Sequence, residues 1–212
     1  MNAQREPKRD LYTPRLRLRL PRPEDAPLLA PLMAPEISAR LASWPASLEP
    51  ATAAQRLTEA RSAAINGLAL PLVVVRLSDG AVMGWIGATR MEADASRAVL
   101  TYWLGAPYHG HGFMREAAPV ALAAAFRHLG VHEVRAAVQL DNLASRAILR
   151  SLGMRMLGLG HIWCAARGRE EICEWWAVQR PAETHPGTTT ETTSMLPRQA
   201  LPFILPMQVR VQ

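Results

Sequence analysis

Hydrophobic and polar residues alternate along Arg15–Leu20, with the leucines on one side and the arginines on the other. This period of two predicts a strand whose arginine face is solvated. Glu24 and Asp25 follow at the start of Pro23–Met33, and acids near the positive end of a helix favour a helix there. The next segment, Pro35–Pro50, has no regular period and is predicted to be irregular.

The rest of the chain changes between the helical and the strand period several times. Helices are predicted over Thr52–Asn66, Gly112–Leu129 and Leu143–Leu152, and strands over Leu70–Leu77, Ala81–Met91, Val99–Leu104, Glu133–Leu140, Met156–Ala165 and Glu171–Gln179. Pro119 lies inside one predicted helix, so we expect a kink or a later helix start there. The order of elements predicts an α+β fold with a mixed, mostly antiparallel central sheet of about seven strands flanked by helices.

The composition favours one domain over residues 11–180. The chain has 212 residues, of which 49% are hydrophobic, enough for a single well-packed core. Residues 1–10 are predicted to be a flexible N-terminus. Residues 181–212 form a threonine- and proline-rich tail that is predicted to be poorly ordered; an arm that docks through its apolar end is the alternative.

Membrane and disulfide classes are disfavoured by the same sequence. The longest apolar run, Ala117–Phe126, is about half of a membrane span, and the N-terminus lacks the apolar core of a signal peptide. Two cysteines, Cys164 and Cys173, are too few for a disulfide framework; they either face each other across a hairpin or are free thiols. A cytoplasmic protein, monomeric or homodimeric, is therefore expected.

The net charge of +6 comes almost entirely from arginine, since Lys8 is the only lysine. The planar guanidinium suits phosphate groups, although a GC-rich genome would enrich arginine as well. The arginines are dispersed, and no basic and aromatic platform for stacking bases is visible, so nucleic-acid binding is not expected.

The candidate chemistry lies in two strand–helix connections. The strand Val99–Leu104 leads through a turn with Gly110 and Gly112 into an apolar helix. Glycines let a backbone approach a ligand closely, and the free N–H groups of a first helical turn attract phosphate. A second strand ends in Asp141-Asn142, which opens another helix. Two such units side by side describe a nucleotide-binding cleft.

These motifs resemble the GNAT superfamily of acetyl-CoA-dependent N-acetyltransferases, in particular the branch that acetylates N-termini of ribosomal proteins. The resemblance covers roughly Arg15–Gln179. The matching residues are Tyr102-Trp103-Leu104, Gly110, Gly112, Glu116-Ala117, Asn142, Ser145, Leu149, Gly153 and Met154. His109 and Met114 depart from the first and sixth positions of the family's glycine loop.

The resemblance implies acetyl-CoA as co-substrate and no metal. It implies that the strands Val99–Leu104 and Glu133–Leu140 splay apart around the pantetheine arm. The residues that it implies for binding acetyl-CoA are Leu104, His109, Gly110, His111, Gly112, Phe113, Met114, Asn142 and Ser145.

Two catalytic roles follow from the resemblance. The backbone N–H near Leu104 would stabilise the developing oxyanion. Many family members use a tyrosine where this chain has Leu149, so Ser145 becomes the candidate proton donor to the leaving thiolate. Helix capping by Asn142 and Ser145 is the alternative.

The acceptor is expected to be an amine on a small molecule or a peptide, with a peptide or protein α-amine favoured by the branch. Trp44, Trp85 and Tyr102 are the candidate acceptor-binding residues, and core packing is the alternative for each. No base is assigned; the candidates are Glu116, His161, Glu170, Glu171 and Glu174. A noncatalytic acyl-CoA sensor, or a module associated with ribosomes or nucleic acid, is the alternative function.

Overall fold

A computed structural model of the protein describes residues 10–181. The predicted flexible N-terminus and threonine-rich tail lie almost entirely outside the described residues. Across that part of the chain, no helix combines the length and the apolar character that crossing a membrane requires.

The described chain folds into eight strands and five α-helices. The strands are β1 (Leu11–Tyr12), β2 (Leu16–Arg19), β3 (Ala69–Arg76), β4 (Val82–Arg90), β5 (Arg97–Leu104), β6 (Glu133–Val138), β7 (Arg155–Cys164) and β8 (Arg169–Gln179). The helices are α1 (Ala26–Leu29), α2 (Pro35–Ser38), α3 (Pro50–Ile65), α4 (Phe113–Leu129) and α5 (Leu143–Ser151), with short 3-10 turns at Pro23–Asp25, Ala30–Leu32 and Ala106–Tyr108.

All strands belong to one sheet in the order β1-β2-β3-β4-β5-β6-β8-β7. Every neighbouring pair is antiparallel except β5 and β6. The predicted α+β class and mixed sheet are thus confirmed. The additional strand is β1, which at two residues is too short to show a hydrophobic period.

The predicted splay is confirmed at the one parallel pair. β5 and β6 are in register only from Arg97 opposite Glu133 to Val99 opposite Arg135. Beyond that point β5 remains paired with β4 as far as Leu104, and β6 remains paired with β8 as far as Val138. The two strands therefore separate along their carboxyl halves, and each leaves backbone groups facing the gap.

Helices cover the two faces of the sheet with different cores. α4 and α5 pack on one face around a large aliphatic cluster that includes Leu16, Ile86 and Leu149. α1, α3 and the segment between α2 and α3 cover the other face, around Trp44, Trp85 and Trp103.

Several local expectations are corrected. The first predicted helix is a four-residue α1 between two 3-10 turns, and α2 lies within the segment predicted to be irregular. α4 begins at Phe113 and contains Pro119, so the later helix start is wrong; the kink stays a prediction.

The arginine face of β2 is not simply solvated. Arg19 donates to Asp25 through two nitrogens, at 2.7 and 2.5 Å, and the exposed fractions of these side chains are only 11% and 4%. The pairing raises the pKa of Arg19. A period of two gives the direction of a side chain, but it cannot show that a later element supplies a buried carboxylate.

Candidate functional site

The glycine turn lies at the carboxyl end of β5 and opens α4. Gly110 and Gly112 have φ angles of 77° and 75°, a left-handed conformation that L side chains rarely adopt. Gly112 is the N-cap of α4 and supplies no side-chain cap. The backbone N–H groups of Gly110 and of residues 112–115 donate to no group within residues 10–181. This row of free donors at the positive end of a helix is suited to an anion.

Glu116 fixes this turn against the connection between β1 and β2. Its carboxylate accepts hydrogen bonds from Thr13 Oγ1 at 2.5 Å, Arg15 N at 2.9 Å and Arg15 Nε at 2.6 Å. Arg15 also donates to the carbonyl of His111 at 3.1 Å. Burial raises the pKa of Glu116, but the hydrogen bonds from Thr13 and Arg15 outweigh it and leave the pKa below its ordinary value. Glu116 is therefore a structural anion and not a free base.

The end of β5 directs backbone groups into the gap. Gly105 N donates to Met83 O at 2.9 Å, so the backbone N–H and C=O groups of the odd-numbered residues of β5 face β4. Because strand residues alternate, the backbone groups of Tyr102 and Leu104 point away from β4, towards the splay. His109 reaches the same place, with Nε2 at 2.8 Å from Leu104 O.

Asn142 caps α5 on the other side of the gap. Its Oδ1 accepts a hydrogen bond from Ser145 N at 3.1 Å. The Ser145 side chain takes no part in this cap, so its hydroxyl is available for another partner. The capping alternative therefore holds for Asn142 and is wrong for the Ser145 hydroxyl.

That partner is Tyr102. Its phenol oxygen lies 2.7 Å from Ser145 Oγ and 3.4 Å from Ser145 O. Burial raises the pKa of Tyr102 to about 12, despite the opposing hydrogen bond with Ser145. The phenol is therefore protonated at neutral pH. Tyr102 was predicted to bind the acceptor, but the structure places its side chain with α5.

Trp44 and Trp85 lie on the opposite face of the sheet. Their rings meet edge to face at 5.5 Å, and Trp44 meets Trp103 in the same way at 5.1 Å. All three are buried, so core packing accounts for most of their surface. Trp44 and Trp85 nevertheless help to line a cleft of about 210 Å³, together with Arg56, Glu59, Glu92 and Thr101.

A polar network that the sequence did not predict holds the segment between α2 and Trp44 in place. Arg167 donates to the carbonyls of Ser38 and Leu41, both at 2.9 Å, and to the Glu171 carboxylate at 2.7 and 2.8 Å. Gln139 donates to Ala39 O at 2.8 Å. These contacts join parts of the chain about a hundred residues apart, and no local motif signals them.

The candidate bases fall into two groups. Hydrogen bonds from Arg167 lower the pKa of Glu171 to about 2, and Glu174 is paired with Arg146 at 2.7 Å and bonded by Trp176 Nε1 at 3.1 Å. Glu116 is held by Arg15, as described above. His161 and Glu170 lie exposed on the last hairpin. None of the five is a buried carboxylate without a cationic partner.

The cysteines supply no nucleophile. Cys164 and Cys173 are free and buried, and they are not cross-strand partners, since Cys164 lies opposite Arg169 and Cys173 opposite Gly160. Burial raises the pKa of both thiols, that of Cys173 to about 12. Among residues 10–181, no three His, Cys, Asp or Glu side chains form a group that could hold a metal ion.

The structure thus brings most of the predicted residues together around the splay. Residues 109–114 lie at its β5 side, Asn142 and Ser145 at its α5 side, and Leu104 and Tyr102 between them. Trp44 and Trp85 lie on the other face of the sheet. Thr13 and Arg15 belong to the structural support of the site and were missed, because their contact with Glu116 spans a hundred residues.

The chain matches the family described as acetyltransferase (GNAT) domain over residues 15–155. A curated relative, the uncharacterized N-acetyltransferase p20 of Bacillus licheniformis, is 28% identical over 160 residues, which cover 75% of this chain and 89% of that protein.

Two solved structures share the fold. The ribosomal-protein-S5-alanine acetyltransferase from Vibrio fischeri has a TM-score of 0.67 at 22% identity, covering 84% of this chain and 100% of that chain. RimJ of Mycobacterium smegmatis, in complex with CoA-disulfide, has a TM-score of 0.69 at 21% identity, covering 80% and 84%.

Proposed function

The chain belongs to the acetyltransferase (GNAT) domain family, and from this premise we propose that it transfers the acetyl group of acetyl-CoA to the α-amine of a peptide or protein N-terminus. Acetyl transfer and the acetyl donor follow from the family. No comparison supports the noncatalytic sensor or the module associated with nucleic acid. The class of acceptor and the residue roles are the proposed part, as is action in the cytoplasm.

The splay and the loop fit acetyl-CoA. The free N–H groups of Gly110 and of residues 112–115 suit a pyrophosphate, and the left-handed glycines Gly110 and Gly112 keep Cβ atoms away from it. The backbone of Tyr102 and the N–H of Leu104, which face the gap, suit the amides of a pantetheine arm. Asn142 uses Oδ1 for its cap, which leaves its amide nitrogen to donate to the same arm.

Transfer would proceed by direct attack of the amine on the thioester. The Leu104 N–H, aimed into the gap, would stabilise the charge that develops on the carbonyl oxygen. Ser145 would give a proton to the departing sulfur. An acyl-enzyme on cysteine is disfavoured, because Cys164 and Cys173 are buried on the Trp175 side of the sheet with raised pKa values. Positioning of the two substrates would supply much of the rate.

The choice of an α-amine as acceptor rests on the ion pairing of the candidate carboxylates. Glu116, Glu171 and Glu174 are all paired with arginines, so no strong buried base of the predicted set is free to deprotonate an amine. An α-amine has a pKa of about 7.7–8.0, against about 10.4 for lysine. A substantial fraction of an α-amine is already neutral near pH 7.5, so its attack depends less on a protein base than the attack of a lysine amine does.

The cleft beside Trp44 and Trp85 does not select an acceptor by its charge, because Arg56 and Arg90 line it together with Glu59 and Glu92. The Vibrio fischeri neighbour is a ribosomal-protein-S5-alanine acetyltransferase, which agrees with a protein α-amine as acceptor.

An acceptor panel tests the proposal. The full chain is incubated with acetyl-CoA and a decapeptide that has an N-terminal alanine and one internal lysine; the matched control is the same peptide with its α-amine blocked. Spermidine, a free amino acid and an aminoglycoside complete the panel. We expect kcat/KM at least tenfold higher for the free peptide, with the acetyl group located on its α-nitrogen by mass spectrometry. Equal acetylation of the blocked peptide or of spermidine would refute the acceptor class.

The pH profile provides a second measurement. With no enzymatic base, kcat/KM should rise with pH as the α-amine loses its proton and level off above about pH 8. A profile that has already levelled off at pH 6 would indicate a protein base that the described carboxylates do not supply.

A further inference from the structure

The structure holds a tyrosine hydroxyl next to Ser145, although the helix position expected to carry a tyrosine is leucine. Leu149 is fully buried in the aliphatic core and has no proton to give. Tyr102 lies on β5 instead, and its side chain contacts α5, with its phenol oxygen 2.7 Å from Ser145 Oγ. The phenol has thus been supplied from the sheet and not from the helix.

Two features make this contact more than a packing detail. The cap of α5 is already provided by Asn142, so the Ser145 hydroxyl is not needed to satisfy the helix end. In addition, β5 separates from β6 after Val99, so the Tyr102–Ser145 contact bridges the splay itself. A hydrogen-bonded pair of hydroxyls in a poorly solvated gap is strengthened by its surroundings.

We infer that Tyr102 is a positioning residue for proton transfer: its phenol orients the Ser145 hydroxyl and replaces the proton that Ser145 gives to the sulfur leaving acetyl-CoA. The inference rests on the acetyl transfer of the proposed function, but not on the identity of the amine. Tyr102 acts through Ser145, which is the group expected to touch the reacting sulfur.

The step balances as follows. The acceptor nitrogen forms a bond to the acetyl carbon, and the carbon–sulfur bond breaks with its electron pair on sulfur. The sulfur takes the Ser145 hydroxyl proton, and Ser145 takes the phenol proton of Tyr102. The amine nitrogen loses one proton to water, and water returns one to the Tyr102 phenolate. The products are the amide and the free thiol. Burial raises the pKa of Tyr102 to about 12, so the phenol holds its proton at neutral pH, and the phenolate takes a proton back from water at once.

The first test compares Tyr102→Phe, Ser145→Ala and the double variant, with Tyr12→Phe as control. Tyr12 is 60% exposed on β1, so its substitution removes a phenol without touching the site. We expect kcat to fall about 10²-fold in Ser145→Ala and at least tenfold in Tyr102→Phe. The double variant should be no slower than Ser145→Ala, because the two residues act as one unit. Effects that multiply would refute the relay.

The second test needs no acceptor and no turnover. The pKa of the thiol of bound CoA is measured from the ultraviolet absorbance of its thiolate. Donation from Tyr102 through Ser145 stabilises the thiolate, so the pKa of bound CoA should be about one unit higher in Tyr102→Phe and in Ser145→Ala than in the wild type. Tyr12→Phe should match the wild type, and CoA affinity at pH 7 should change less than about threefold.

These readouts separate the possible failures. If Tyr102→Phe lowers only the melting temperature and leaves kcat and the thiol pKa unchanged, Tyr102 is a packing residue and the inference is wrong. If the wild type acetylates some other class of amine but the thiol pKa still shifts, the acceptor proposal fails and the relay stands.

Discussion

Tyr102 and Trp103 are neighbours on β5, yet their surroundings have little in common. Tyr102 points to the α4 and α5 face, where its hydroxyl has Ser145 as a partner. Trp103 points to the α3 face and packs edge to face on Trp44. Within residues 10–181 its indole nitrogen has no hydrogen-bond partner. One residue is therefore part of a polar gap, and the next is part of a dry core.

The backbone shows the same division. The groups of Trp103 face β4 and are used in the sheet, whereas those of Tyr102 and Leu104 face the gap that β6 leaves. A single strand can thus carry stability on one side and chemistry on the other, because side chains and backbone groups both alternate. Substitutions on the side of Trp103 should therefore lower stability, and substitutions on the side of the gap should lower binding or turnover.

The largest effect is expected on the dry side. Trp103→Ala removes a buried indole together with its contacts with Trp44 and with its cross-strand partner Trp85. We therefore expect a loss of about 3–5 kcal/mol in the free energy of unfolding, measured by denaturant titration. The control is Trp163→Ala on the edge strand β7, which is 38% exposed and should lose about 1 kcal/mol. If Trp103→Ala instead kept its stability and lost acetyl-CoA affinity, the division between the faces would be wrong.

On the side of the gap, Gly110→Ala should affect binding. Its matched control is Gly67→Ala, since both glycines have positive φ, at 77° and 68°, and an added Cβ would meet nothing within 4 Å in either case. Both substitutions should cost about 1–2 kcal/mol of stability through backbone strain. Only Gly110→Ala should also weaken acetyl-CoA binding, by roughly tenfold in calorimetry, because its loop carries the free donors. Equal affinity in the two variants would argue against this loop as the phosphate site.

The smallest effect concerns the start of α5. Asn142→Ala removes the side chain that caps Ser145 N and should cost about 1 kcal/mol of stability. Ser145→Ala keeps that backbone N–H but removes the hydrogen bond to the Tyr102 phenol, so it should cost a similar amount, about 1 kcal/mol, and it should also lower kcat. Thermal melts and kcat of the two variants check this expectation. A Ser145→Ala variant that loses stability but keeps the kcat of the wild type would show that the hydroxyl serves the fold alone.

Much of the fold could be predicted from local pattern. Alternation located seven of the eight strands, the glycine-containing connection located the turn at Gly110, and Asp141-Asn142 located the start of α5. The boundaries differ from those observed by one or two residues in most cases. β1 and α2 were not predicted, because two and four residues are too few to show a period.

The sequence by itself determined which residues stand at the ends of the strands and helices, since periodicity, glycine turns and caps act over a few residues. Only the tertiary structure decided which of them meet. Tyr102 and Ser145 are 43 residues apart, Arg15 and Glu116 are 101, and Arg167 and Ser38 are 129. Such contacts depend on strand order and on the place where β5 leaves β6. Those are fixed by the packing of the whole sheet, and no short segment encodes them.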